Sequence, residues 1–362
     1  MPETKKEKFE RKMIDILNYG ALNLAMGIGY KTGLFDAMEA IGTPATAGKI
    51  AARANLTERY VTEWLGVMAT GGVIDVVTKD ASGNRFFLPA DHAACLTRRS
   101  GDANLGVYTQ EIPLLTQCAL PAVERGFTTG AGVPFAVYPA FQAFMGELSD
   151  AKHKKVLVQQ FLPEVAEGRL LQRLKKGIAA CDLGCGEGVA VLLMAARFPN
   201  SHFTGIDNHK GAIDAARAEA LEKRLENCAF ILQDAAGIDG NAYFENRYDY
   251  IMAFDAIHDQ QKPLEALRGI RHMLTPDGLF SMVDIDADSD LSKNLDHPMG
   301  PFLYAVSLMH CMPVGLADGG AGLGMMWGRQ KAVAMLKEAG FSGVQVCEMA
   351  HDPFNVHYLS RK

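Results

Sequence analysis

The sequence predicts an α/β fold, a parallel sheet covered by helices on both faces, with a smaller helical domain ahead of it. Three observations carry this. From residue 178 onward short apolar runs alternate with amphipathic stretches. A glycine-rich turn follows the first of those runs. The first 90 residues show helical periodicity, then two short apolar runs around a cluster of turn formers.

With 362 residues, 48% of them hydrophobic, the chain is long enough for two domains. A formal net charge of -6 argues against a nucleic-acid-binding surface, which usually carries an excess of Lys and Arg. The charged start MPETKKEKFERK leads into no apolar signal core, and no run of eighteen apolar residues follows. The expectation is a cytoplasmic protein that does not span a membrane. Seven scattered cysteines fit reduced thiols, and nothing near Cys181 and Cys185 completes a zinc pattern, so no metal is expected.

Residues 6–29 read as one helix, with Phe9, Met13, Ile16, Leu17 and Leu24 at helical spacing. Gly20, Gly27 and Gly29 either weaken it or mark close approach by another helix. Leu34–Ala40 forms a second helix ending near Gly42. Thr46 is placed to cap AGKIAARA, and Thr57 to cap ERYVTEWLGVMAT, which Gly71 and Gly72 stop. Two apolar runs around Asp80–Asn84 suggest a β-hairpin. Helices followed by such a wing make a winged helix, assigned to 1–95. Its groove-entering helix, 57–70, carries Arg59 alone against Glu58 and Glu63. A dimer or substrate-lid role is expected of it rather than DNA recognition.

Residues 96–176 are expected to be a helical linker and substrate-pocket region, broken at Pro113, Pro121, Pro134 and Pro139. Phe127, Phe135, Tyr138, Phe141 and Phe144 either pack helices together or line an apolar pocket.

The second domain is assigned to 177–362. IAACDLG, HFTGID, CAFILQD, YDYIMAFDAI and GLFSMVDID read as buried strands, with VAVLLMAARFP, KGAIDAARAEALEKRLE and PLEALRGIRHML as helices between them. A ligand site belongs beyond the carboxyl ends of the strands, where the chain order reverses.

The first turn there is Asp182-Leu183-Gly184-Cys185-Gly186-Glu187-Gly188. Its alternate glycines permit a tight turn and bring a ligand close to the backbone. A nicotinamide fingerprint fails at Val189, and no Lys-Ser/Thr completes a phosphate-cradling loop. Asp182 and Glu187 would crowd a pyrophosphate but suit an ammonium or sulfonium charge. Asp207 closes the second strand beside Asn208, where a carboxylate can hold both ribose hydroxyls. Asp234 closes the third, placed to accept from an adenine amine while Ala235 and Ala236 leave room for the ring.

These residues resemble the class I S-adenosylmethionine-dependent methyltransferases over roughly 170–362. The resemblance implies a Rossmann-like sheet of seven strands, with FSGVQVCEM and NVHYLSR as an antiparallel edge behind the helix RQKAVAMLKEAGF. It places Gly184, Gly186 and Gly188 beside the methionine part of the cofactor, Asp207 at the ribose and Asp234 at the adenine. The whole chain is similar to small-molecule methyltransferases, including a mycobacterial group, that carry a winged-helix domain. The layout implies a homodimer.

Methyl transfer needs an in-line nucleophile held away from water, and an alcohol or phenol acceptor gains from a base. The fourth strand ends in Phe254-Asp255-Ala256-Ile257-His258-Asp259. His258 is the candidate base or orienting group, with Asp259 or Asp255 raising its proton affinity, and Asp255 alternatively contacting the cofactor's amino group. His297 and His310 are weaker candidates. Asp284, Asp286, Asp288 and Asp290 form an acidic cluster open to two readings, a magnesium site or a solvated loop, and the loop is favoured. Residues 291–328 read as a substrate cover: an apolar helix, Pro301–Cys311, then six glycines between 315 and 328. His310, Met312, Met325, Met326 and Trp327 are its candidate pocket residues. The function expected is methylation of a small, partly apolar acceptor at oxygen. The alternatives are a nitrogen or sulfur acceptor, or a cofactor-binding DNA-associated regulator.

Overall fold

The computed structural model describes residues 3–80, 83–138, 144, 147–148, 153–154 and 156–362. It divides into two compact units, Met1–Leu114 and Leu115–Lys362. Phe141 and Pro139 lie outside the described residues, as do two positions of the Asp80–Asn84 turn.

In the first unit α1 runs Lys5–Lys31, opened by a capping box in which Thr4 and Glu7 satisfy each other's backbone N–H groups. The helices α2 (Leu34–Ile41), α3 (Ala47–Ala54) and α4 (Glu58–Thr70) follow. Thr46 caps α3 through Lys49 N, as the sequence predicts. Thr57 occupies the cap position of α4, but its side chain makes no cap hydrogen bond. The strands β1 (Asp75–Asp80) and β2 (Gly83–Phe87) form the antiparallel wing, with Ala45 bridging to Phe86. Phe35, Ile50, Leu65 and Met68 are buried at its centre. Close approach explains two of the three glycines in α1. A Cβ on Gly27 would lie 2.6 Å from Thr109 O, and one on Gly29 2.4 Å from the Trp64 ring, whose Nε1 donates to Ala25 O.

In the second unit β3 (Ala179–Leu183), β4 (His202–Asp207), β5 (Cys228–Leu232), β6 (Tyr248–Phe254), β7 (Leu274–Ile285), β8 (Ser342–Glu348) and β9 (Asn355–Arg361) form one seven-stranded sheet. The order is β5-β4-β3-β6-β7-β9-β8, and β9 alone runs against its neighbours. The strand order therefore reverses between β3 and β6, which opens a crevice at their carboxyl ends. The two faces carry separate apolar cores. One contains Val191, Phe203 and Met252, and the other Ile251, Ile270, Phe280 and Leu336. Such double coverage is why these strands read as continuous apolar runs.

Two expectations about helices need correction. Pro121 does not break its helix, which runs from Glu111 to Thr129 with the proline inside it. Pro113 sits in that helix's first turn, where the missing N–H costs nothing. In the cover segment, Gly300–Val306 and Met312–Leu316 are α-helical and are joined by a π-helical turn, Ser307–Cys311. The stretch Gly300–Gly319 is long and apolar enough to cross a membrane, yet 56% of it is buried inside the protein, and that packing accounts for its composition.

Candidate active site

The glycine turn after β3 needs glycine at all three positions. Gly184, Gly186 and Gly188 have φ of 75°, 52° and 79°, in the left-handed region. A Cβ on Gly184 would meet Ala256 Cβ at 2.5 Å, and one on Gly188 the Phe230 ring at 2.4 Å. At Gly186 a Cβ would meet nothing within 4 Å, because that residue faces open space. The turn is fastened to the end of β4: Gly186 N donates to Asp207 Oδ2 at 2.9 Å, and His209 N to Oδ1 at 2.8 Å. Asp234, just past β5, accepts from Ala236 N at 3.0 Å.

Together these strand ends line a cavity of about 360 Å³. Of the residues proposed from sequence for the cofactor, Asp182, Gly184, Cys185, Gly186, Glu187, Asp207, Asn208, Asp234 and Asp255 line it, and so does Asp259. Gly188 and Ala235 stand behind its wall, and Ala236 takes the wall position. Burial, and then the charge of Asp207, push the Asp182 carboxyl up to about 8. Burial also raises Asp259 to about 6, with His258 pulling the other way.

His258 is brought to this edge but does not line the cavity; it is 3% exposed. Its partner corrects the sequence expectation. Nδ1 lies 2.7 Å from Asp284 Oδ1, so Asp284 orients the ring, in place of Asp259 or Asp255. The physical reason is strand adjacency: β6 pairs with β7 in parallel, and the ends of both strands lie side by side. Asp284 is fully buried, and among the described residues its Oδ2 has no hydrogen-bond partner. Burial opposes a charge on His258, yet the Asp284 carboxylate and the adjoining Cys311 hold it well above the usual imidazole range.

The acidic cluster disperses. Asp286 is bound by Arg329 through two hydrogen bonds of 2.5 and 2.6 Å. Asp288 accepts from Gln330 at 2.7 Å, and Asp290 from Ser292 N at 2.9 Å. Among the described residues no group of three or more such side chains is arranged to hold a metal.

The cover's candidate pocket residues, His310, Met312, Met326 and Trp327, are absent from the cavity wall. Trp327 is 4% exposed in the core beneath the helix Arg329–Glu338, and Met326 packs with Ile285 and Leu303. His310 is buried against Tyr138, ring centroids 4.8 Å apart, and burial lowers it to about 3. Met325 packs beside Met326, and His297 Nε2 lies 3.1 Å from Asp286 O. Phe127 is exposed, whereas Phe135 lines the cavity and Phe144 is buried. Sequence reading missed Phe161, Phe254, Met349 and Asn355 on the wall. Phe254 was detectable as the last residue of a strand; the other three carried no spacing signal.

A reversed-order sheet, a left-handed glycine turn and acids ending two successive strands define an S-adenosylmethionine-dependent methyltransferase fold. Behind a winged-helix domain, it is the fold of small-molecule methyltransferases. Residues 174–319 match the methyltransferase domain family, and residues 20–98 the Rv2258c-like winged HTH domain. The chain superposes on human N-acetylserotonin methyltransferase, solved with SAM, with a TM-score of 0.71 at 16% identity, covering 100% of this chain and 99% of that one. An O-methyltransferase family protein from Burkholderia thailandensis gives 0.66 at 16% identity over 97% of each. Curated relatives match over shorter stretches. (S)-Tetrahydroprotoberberine N-methyltransferase of Eschscholzia californica is 27% identical over 108 residues, 30% of each protein. Trans-aconitate 2-methyltransferase of Methylobacterium radiotolerans is 46% identical over 57 residues, 16% of this chain and 20% of that protein. The chain thus spans less than a third of the length of these two relatives.

Proposed function

We propose that this chain transfers a methyl group from S-adenosylmethionine to an oxygen of a small, partly apolar acceptor, with His258 as the base. The carrying observation is the His258–Asp284 pair, buried at the ends of β6 and β7 next to a glycine cradle. The cradle fits the donor. Gly186 faces open space where a side chain would intrude, and Glu187 and Asp207 offer negative charge toward an ammonium and a sulfonium. Asp182, raised to about 8 by burial in the ligand-free cavity, ionises more readily beside such a cation. When bound, S-adenosylmethionine supplies an electrophilic methyl carbon. Asp207 would hold the ribose, Asp234 the adenine edge, and Asp255 the amino group.

Asp284 fixes the histidine so that Nε2 faces away from the carboxylate and takes the acceptor's proton. Reaching Nε2 requires the Ser307–Cys311 turn to shift, and the segment 291–328 is read accordingly as a cover that admits the acceptor and then excludes water. Phe135, Leu148, His153, Val156, Leu157 and Phe161 line the same cavity and would contribute a wall for the acceptor. A screen of hydroxylated aromatic acceptors with labelled donor tests the reading; turnover undiminished in His258→Ala would contradict the base assignment.

The working form is read as a homodimer in the cytoplasm. Phe9, Met13, Ile16, Leu17 and Leu24 are exposed on α1, and Gly20 lies within their stripe. A Cβ on Gly20 would meet nothing within 4 Å among the described residues, and this exposed apolar stripe is read as the face toward a second copy. DNA recognition is disfavoured: Arg59, the sole basic residue of α4, is paired with Glu63. Seven free cysteines suit a reducing compartment.

A further inference from the structure

The residues assigned to the donor, Asp207 and Asp234 among them, gather at one end of the cavity. The sheet order carries the same cavity past β7 to the β8–β9 turn, where Met349, Asp352 and Asn355 line it. This far end has a chemistry of its own. Phe161 and Phe254 meet edge to face with centroids 5.3 Å apart, and His153 packs on Phe254 at 4.9 Å. Those rings and Met349 make a wall suited to a flat apolar body.

One polar atom in that wall is unsatisfied. Asn355 is 3% exposed, and its amide nitrogen is committed to Asp352 Oδ2 at 2.9 Å. The bond fixes the amide orientation, because a carboxylate oxygen needs a donor. Among the described residues, Asn355 Oδ1 is left buried with no hydrogen-bond partner. A buried acceptor in this condition destabilises the fold unless a donor reaches it.

Charge selects the kind of donor. Among the described residues lining the cavity, seven are Asp or Glu, and Lys262 is the sole Lys or Arg. S-Adenosylmethionine brings one net positive charge, so the acidic excess persists once it is bound. An acceptor carrying a carboxylate or phosphate would enter against that field, and an ammonium with it.

We propose that the β8–β9 end of the cavity recognises an arylalkylamine, its ring against Phe161 and Phe254 and its ammonium N–H donated to Asn355 Oδ1. This rests on the methyl-donor reading and narrows it: the acceptor class is an aromatic molecule bearing a basic nitrogen, and anionic acceptors are rejected.

The test uses three phenols differing only in the far group: tyramine, 4-ethylphenol and 3-(4-hydroxyphenyl)propionate. Each is titrated calorimetrically at pH 7 into the full chain saturated with S-adenosylhomocysteine. Tyramine is expected to bind at least tenfold tighter than the propionate, with ethylphenol between. In Asn355→Ala the tyramine advantage over ethylphenol should fall at least fivefold. Propionate binding as tight as tyramine, or no measurable tyramine binding, overturns the proposal on the unaltered chain, whatever the variant's folding. An unchanged ratio in a folded Asn355→Ala overturns it as well. S-Adenosylhomocysteine is titrated first: failure there sinks the donor reading and this proposal with it, whereas failure of the amine preference alone sinks only this one.

Discussion

His258 Nδ1 and Asp284 Oδ1 lie 2.7 Å apart at the carboxyl ends of adjacent parallel strands, both residues removed from water. A buried imidazole held by a carboxylate has Nδ1 committed and its orientation fixed; once the adjoining Cys311 gives way, Nε2 is placed as a general base needs.

His258→Ala should therefore reduce turnover by about 10²–10⁴ while leaving S-adenosylhomocysteine affinity within threefold. Steady-state kinetics on an active acceptor, paired with calorimetry, checks both halves.

The pH dependence follows in sign. Asp284 raises His258 above its ordinary value, so the base form, and with it kcat/KM, grows as pH rises through that raised value. In Asp284→Asn the acidic limb should move to lower pH while the maximum falls at least tenfold. A pH–rate profile of both forms reads this.

Asp182 predicts a proton linked to binding. Its carboxyl is raised to about 8 in the ligand-free protein, chiefly by burial. A raised carboxyl contributes stability that is full below its unfolded value near 4 and is lost as pH climbs toward 8. The melting temperature of the ligand-free chain should fall over that window, and less so in Asp182→Asn. A cationic donor favours the ionised form, so its affinity should rise with pH up to about 8, with proton release visible as a buffer-dependent binding enthalpy.

Two glycines of one turn separate fold from site. Gly188→Ala would drive a Cβ to 2.4 Å from Phe230 at a positive φ, and is expected to cost about 2–4 kcal/mol of stability. Gly186→Ala meets nothing within 4 Å, so its stability cost should stay near 1 kcal/mol while donor affinity drops tenfold or more. Thermal melts and binding titrations on the two variants distinguish the effects.

Leu17→Glu with Leu24→Glu places two charges on the exposed apolar stripe of α1. Light scattering should find a dimer in the unaltered chain and a monomer in the double variant.

Much of this architecture was legible because it is written locally. Fully buried strands made continuous apolar runs, and each glycine of the turn is demanded by its own φ. What stayed hidden depended on which strands became neighbours. Asp284 looked like part of an acidic loop until β7 was set beside β6, and Arg329 claimed Asp286 from 43 residues away. Trp327 and Met326 misled for the opposite reason: large apolar residues among glycines suit a pocket or a core equally, and packing chose the core. Asn355 had no local mark, since its meaning lies in one unpaired oxygen.

The most direct measurement is titration of S-adenosylmethionine into the folded, ligand-free chain. One equivalent should bind with micromolar or tighter affinity, and Asp207→Ala should weaken it at least tenfold. A chain that melts cooperatively yet takes up neither the donor nor S-adenosylhomocysteine would contradict the account.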